Sequence, residues 1–186
     1  MSAENFVSIY IPKRIVDEVL RRGLDIESFV IDSIVERLKL DPHDEAVIYL
    51  ELAERFLSEA RKYVDQGDPV QASEKLYKVA EECVKALAIK FKISEAEEAR
   101  REERWWTKLL SRAAKKLSTM LNEPLISYGW SLGYDLHVWG FHEAALDLES
   151  VKTALPMIEQ LFKKVKSIIQ RPNPYTETTS PEAPNS

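Results

Sequence analysis

The side chains best suited to chemistry lie within residues 129–143, GWSLGYDLHVWGFHE, a stretch that holds two of the chain's three histidines, two of its four tryptophans and three of its five glycines. An imidazole beside a carboxylate can shuttle a proton, so His142 and Glu143 form an acid–base pair if a neighbouring helix positions them. His137 and His142 are five residues apart, about 140° around an α-helix, unlike the i, i+4 pairs that hold zinc. No metal site is therefore expected. No glycine loop that would cradle a phosphate is present, and no cofactor is expected.

On a helical projection Trp130, Tyr134, His137 and Phe141 share one face, with Leu132, Leu136 and Trp139 opposite. A helix apolar nearly all round belongs at the centre of a bundle or at a subunit interface. Gly129, Gly133 and Gly140 fall on one narrow stripe, each costing about 1 kcal/mol against Ala in a helix interior. That cost makes sense where another backbone comes close, within the bundle or across a dimer axis. On this reading His137 is a hydrogen-bonded core or interface histidine rather than a catalyst.

The elements that must position this segment are mostly helices. Residues 41–44, DPHD, can cap a long helix with apolar positions Ala46, Leu50, Ala53, Leu57, Ala60 and Val64, ending at Gly67. Asp68, Pro69 and Gln71 open a second, with the stripe Ala72, Leu76, Val79, Ala80, Cys83, Leu87 and Phe91. A short turn between them makes an antiparallel hairpin. Cys83 lies on the stripe and reads as a small buried apolar side chain. A charged stretch, residues 94–104, reads as an exposed loop or short solvated helix. It ends in Trp105 and Trp106, one placed to clamp the loop and the other to reach a neighbour or a ligand. Helices follow from Thr107 to Leu121 and from Glu123–Pro124 through the glycine-rich segment. Asp147 can cap a last helix to about Gln170, which Pro156 should kink. The proline-rich residues 172–186 read as a disordered tail.

Ahead of the bundle, residues 5–11 alternate Val7, Ile9 and Ile11 against Phe6, Ser8 and Tyr10, as a short strand would. A helix to Gly23 and a second one capped by Asp25 follow. This order resembles ribbon-helix-helix domains, which dimerise by pairing their strands and in many cases read DNA with the ribbon. The face that would read DNA here, Phe6, Ser8 and Tyr10, has no Lys or Arg, which argues against DNA binding and for a dimerisation segment.

With 45% hydrophobic and 31% charged residues and no apolar run of membrane-spanning length, the chain reads as soluble and cytoplasmic. Its single cysteine agrees with that compartment, and its wealth of Glu and Lys fits a thermophile. A net charge of −5 argues against broad nonspecific binding to nucleic acid. Lys115, Lys116, Lys163, Lys164 and Lys166 read as solvated helix faces.

Residues 67–88, GDPVQASEKLYKVAEECVKALA, together with Trp105–Trp106 and LHVWGFHE at 136–143, resemble the archaeal PaREP family, which looks like a branch of the HEPN superfamily. The resemblance covers roughly residues 41–170. It implies a mainly α, up-and-down bundle of four to five helices that commonly dimerises, within a group of toxin–antitoxin and nucleotide-linked proteins. HEPN ribonucleases carry an Arg four to six intervening residues before a His. Before His137 those places hold Trp130, Ser131 and Leu132, and before His142 they hold Asp135, Leu136 and His137. Arg37 and His43 have the spacing, but the helix break at Asp41–Pro42 separates them.

The expected organisation is thus a ribbon-helix-helix-like dimerisation segment at 1–40, an HEPN-like bundle at 41–171 and a tail at 172–186. The leading functional expectation is a noncatalytic dimeric module that binds a protein partner or a nucleotide or RNA ligand, in a toxin–antitoxin setting. Its candidate contact residues are Trp105, Trp106, Trp130, Tyr134, His137, Phe141, His142 and Glu143. Two alternatives stand beside it, a ribonuclease-like enzyme with an atypical site and a ribbon-helix-helix repressor.

Overall fold

The computed structural model describes residues 6–170, which divide at residue 40 into two compact units. The tail expected at 172–186 lies outside the described residues.

The first unit holds α1 (Lys13–Arg21) and α2 (Ile26–Leu38). Pro12 opens α1, and the chain turns at Gly23 with φ +67°, a left-handed conformation that glycine adopts without strain. Asp25 caps α2 by accepting from the Ser28 backbone N–H at 2.8 Å. Residues 6–12 carry no ladder, which corrects the strand expected at 5–11. A strand is defined by its hydrogen-bonded neighbour, and among the described residues there is no second strand for these to pair with. Among the described residues of this unit only Val19 and Val35 are buried, while Val7, Ile9, Tyr10, Ile15, Leu20 and Leu38 are exposed.

The second unit is an all-α bundle built from α3 (Pro42–Asp65), α4 (Pro69–Lys90), α5 (Ser94–Arg101), α6 (Thr107–Met120), α7 (Pro124–Asp135) and α8 (Leu148–Gln170). A π-helical segment, Leu136–His142, continues α7. Asp41 and Asp68 cap α3 and α4, each followed by a proline at the first helical position, where its missing N–H has no intrahelical partner to lose. Gly67, at φ +74°, closes the turn of the hairpin. Helix α8 is capped by Asp147, which accepts from the Ser150 N–H at 2.8 Å, and runs on through Pro156 to Gln170.

Helix α4 is the axis of the bundle, packed by α3, α6, α7, the π-helical segment and α8. Every residue from Leu76 to Ile89 is buried, including four charged ones. Lys85 Nζ lies 3.0 Å from Glu81 and 3.2 Å from Glu82, and Lys78 Nζ lies 3.4 Å from Glu81. The four formal charges cancel, which is the condition for taking ions out of water at tolerable cost. Burial alone would raise the carboxyl of Glu81; Lys78 and Lys85 outweigh that and hold it down at about 2.

Helix α5 is not the free solvated segment that its charge pattern suggests. Glu95, Ala96 and Ala99 are buried, Arg100 reaches Glu45 at 2.6 Å, and Lys116 reaches Glu95 at 3.0 Å. Of the lysines read as solvated faces, Lys116 therefore ties two helices together. So do Lys164, 2.8 Å from Glu123, and Lys166, 3.1 Å from Glu54.

Candidate functional site

The π-helical segment changes the geometry of the two histidines. Its wide turn closes i to i+5 hydrogen bonds, as the Glu143 N–H donates to the Val138 carbonyl at 2.9 Å. Residues five apart are thereby brought over one another. His137 Nε2 and His142 Nε2 stand 3.0 Å apart, where an α-helix would have splayed the rings to opposite sides. The spacing that looks awkward for a pair on an α-helix is the spacing a π-helix requires.

The other ring nitrogen of His137, Nδ1, lies 2.7 Å from Oε2 of Glu74 on α4. Glu74, His137 and His142 thus form a hydrogen-bonded file that begins at a largely buried carboxylate and ends on an exposed imidazole. Rings hold the file in place. Tyr77 stacks on His137 at 4.1 Å between centroids, Phe141 lies 6.0 Å away nearly parallel to it, and His142 meets it edge-on. Burial raises the Tyr77 hydroxyl, with Glu81 adding to the effect, so this ring remains a neutral wall.

Close backbone approach is what lets α4 and the π-helical segment share this site. A Cβ built on Gly133 would lie 2.6 Å from Ala80 Cβ, and one on Gly140 would lie 2.2 Å from Ser73 Oγ. Both glycines face α4, and His137 falls between them in sequence. Gly129 faces α8 instead, where a Cβ would meet Leu161. The stripe therefore packs against two helices of the same chain.

The remaining candidates divide. Trp130 is buried, its indole N–H donating to Ser111 Oγ at 2.9 Å, and it stacks on the part-exposed Tyr134. Glu143 is exposed, and the carboxylate that meets His137 is Glu74, 63 residues earlier in the chain. Trp105 and Trp106 sit on the α5–α6 connection, outside this set of ring contacts; Arg104 covers the Trp106 ring at 4.0 Å. The segment is not buried all round, since Tyr134 and Trp139 are 41% and 54% exposed. Burial pushes the Cys83 thiol far above its ordinary range, with Glu82 adding to it, which suits an inert core residue. Among the described residues no group of three or more His, Cys, Asp or Glu side chains is placed to hold a metal ion. In the histidine file both nitrogens of His137 point along the line of bonds rather than converging on a common point.

The fold and site define an all-α bundle with a buried, charged central helix and a Glu–His–His file at its surface. Residues 48–162 match the model of the archaeal PaREP1/PaREP8 family, and the chain belongs to that family. It is also similar to a protein from Sulfolobus solfataricus solved by crystallography, at 33% identity and a TM-score of 0.58, over 62% of this chain and 94% of that one. No curated protein matches it. Among the described residues no helix is long and apolar enough to cross a membrane.

Proposed function

We propose that the protein is a dimeric HEPN-like helical module that binds a nucleotide or a short RNA segment at the face carrying His142. The observation that carries this reading is the Glu74–His137–His142 file, which fixes the orientation of an exposed imidazole through two hydrogen bonds. Exposed Tyr134 and Trp139 on the same stretch supply ring faces of the kind on which bases stack. Absence of the arginine that HEPN ribonucleases carry supports binding without cleavage, and a bundle of this kind suits an antitoxin-like partner.

The first unit supports dimerisation. Two buried valines among the described residues of this unit make a core too small to stand by itself, and the exposed apolar side chains of 6–38 suit cover by a partner. An open groove of about 470 Å³ on this unit is lined by Ile15, Val19, Leu24 and Phe29 together with Arg14, Glu18, Arg21 and Arg22. A second copy, pairing the alternating residues 6–11 with its own, covers these groups.

Light scattering on the full chain, with fluorescence anisotropy of labelled AMP and of a short single-stranded RNA, tests the reading. A dimer that binds either probe, and loses it on His142→Ala, is expected. A monomer at micromolar concentration removes the dimer, and no binding of either probe removes the ligand.

One observation favours a second reading. A carboxylate behind an imidazole is the arrangement that orients a general base, so the same file suits cleavage of an RNA phosphodiester. Incubation with a mixed RNA pool beside His137→Ala and His142→Ala decides it, since equal background from all three proteins excludes cleavage.

A further inference from the structure

The file of bonds fixes where each ring proton sits, and that determines what kind of ligand atom the site takes. Glu74 Oε2 stands 2.7 Å from His137 Nδ1, and an ionised carboxylate only accepts. The Nδ1 nitrogen of His137 therefore carries a proton, and when the ring is neutral its Nε2 is bare, whereas an imidazolium would donate from both nitrogens. His142 Nε2, 3.0 Å away, donates to it when His137 is neutral. A neutral imidazole has one N–H, so the Nδ1 of His142 is left as a lone pair on an exposed ring.

We propose that His142 Nδ1 is the atom the ligand meets, and that it accepts a hydrogen bond from a ribose hydroxyl, making the site selective for ribonucleotides over deoxyribonucleotides. The inference rests on the reading of this face as a ligand site. A bare nitrogen turns toward a donor and away from phosphate oxygens, which offer only lone pairs. A ribose 2′-hydroxyl is such a donor, and it is the group that separates RNA from DNA. Glu74 and His137 are positioning residues that hold the tautomer of a ring Glu74 does not touch.

The decisive experiment has two arms on the full chain. In the first, long-range proton–nitrogen correlation spectra of histidine-labelled protein near neutral pH are expected to show His137 protonated at Nδ1 and His142 at Nε2. In Glu74→Ala the acceptor is gone and His142 loses its single tautomer, while His137→Phe keeps a ring in the stack and gives the same loss. His142 protonated at Nδ1 in the wild type, or a His142 signal indifferent to both variants, overturns the proposal. The wild-type spectrum decides this even if a variant fails to fold.

In the second arm, anisotropy compares a single-stranded RNA with a DNA of the same sequence. RNA is expected to bind ~10-fold more tightly, the order of one hydrogen bond, and His142→Ala to level the two. Equal binding of RNA and DNA, both lost in His142→Ala, overturns the ribose contact and leaves the ligand site standing. If neither nucleic acid nor AMP binds, the ligand site itself falls, and the ribose contact falls with it.

Discussion

Gly133→Ala is the most direct test of how α4 and α7 hold the site together. The new methyl carbon would lie 2.6 Å from Ala80 Cβ, against the roughly 3.5–4.0 Å at which carbon atoms rest in contact. The helices must part by about 1 Å or the side chains must strain, an overpacking cost of about 1–3 kcal/mol. Replacing a helical glycine by alanine returns about 1 kcal/mol. The net expectation is a loss of up to about 2 kcal/mol, which for a domain of this size lowers Tm by up to roughly 8 °C. Ala80→Gly alone should cost about 1 kcal/mol through helix propensity. The double variant moves one methyl group from one backbone to the other, so it should cost much less than the sum of the two singles. Guanidinium and thermal unfolding at several protein concentrations measure all three, and the coupling should not depend on concentration because the contact lies within one chain. A Gly133→Ala protein more stable than the wild type, or additive singles, would refute the close approach.

Two further outcomes follow from the buried charges and the helix ends. Glu81 has a folded value near 2 against an ordinary 4.5, so its stabilising contribution is complete above about pH 4.5 and is lost as the pH falls toward 2. Glu81→Gln should flatten that acid limb and cost about 3 kcal/mol or more at pH 7, because Lys78 and Lys85 lose a buried carboxylate; denaturant curves at pH 7, 4 and 3 check both parts. Lys90 Nζ donates to the carbonyls of Ile168 and Ile169 at 3.0 and 2.7 Å, closing the C-terminal end of α8. Lys90→Met should cost about 1–2 kcal/mol and speed amide exchange in the last turn of α8, and unchanged exchange there would show that the ammonium does not hold the end.

Helix boundaries were legible because they are set by local chemistry. Asp25, Asp41, Asp68 and Asp147 cap as their positions suggest, and Gly23 and Gly67 take the left-handed turns that end helices. The family was legible too, from three separated blocks. The interior of α4 was not, because Lys78, Glu81 and Lys85 recur at spacings of three and four and look like the wet face of an amphipathic helix. Only the packing of other helices on that side reveals an ion-paired core. The candidate site was half legible: both histidines stand out by type, but their pairing depends on a change of helical period that no residue type announces. Glu74 enters only through the tertiary fold.

The π-helical segment also bears on how such a site could arise. A π turn is an α-helix that has taken in one additional residue without breaking. Removing one residue between His137 and His142 would restore an ordinary helix and set the two histidines four apart. The two rings would then stay on one face, as neighbours one turn apart. Conversely, a single codon inserted between two histidines four apart is taken up by the wider turn, which keeps the imidazoles in register, with the glycines admitting the closer backbone. The pair of groups thereby survives a one-residue change of length that would set them on opposite sides of a plain α-helix.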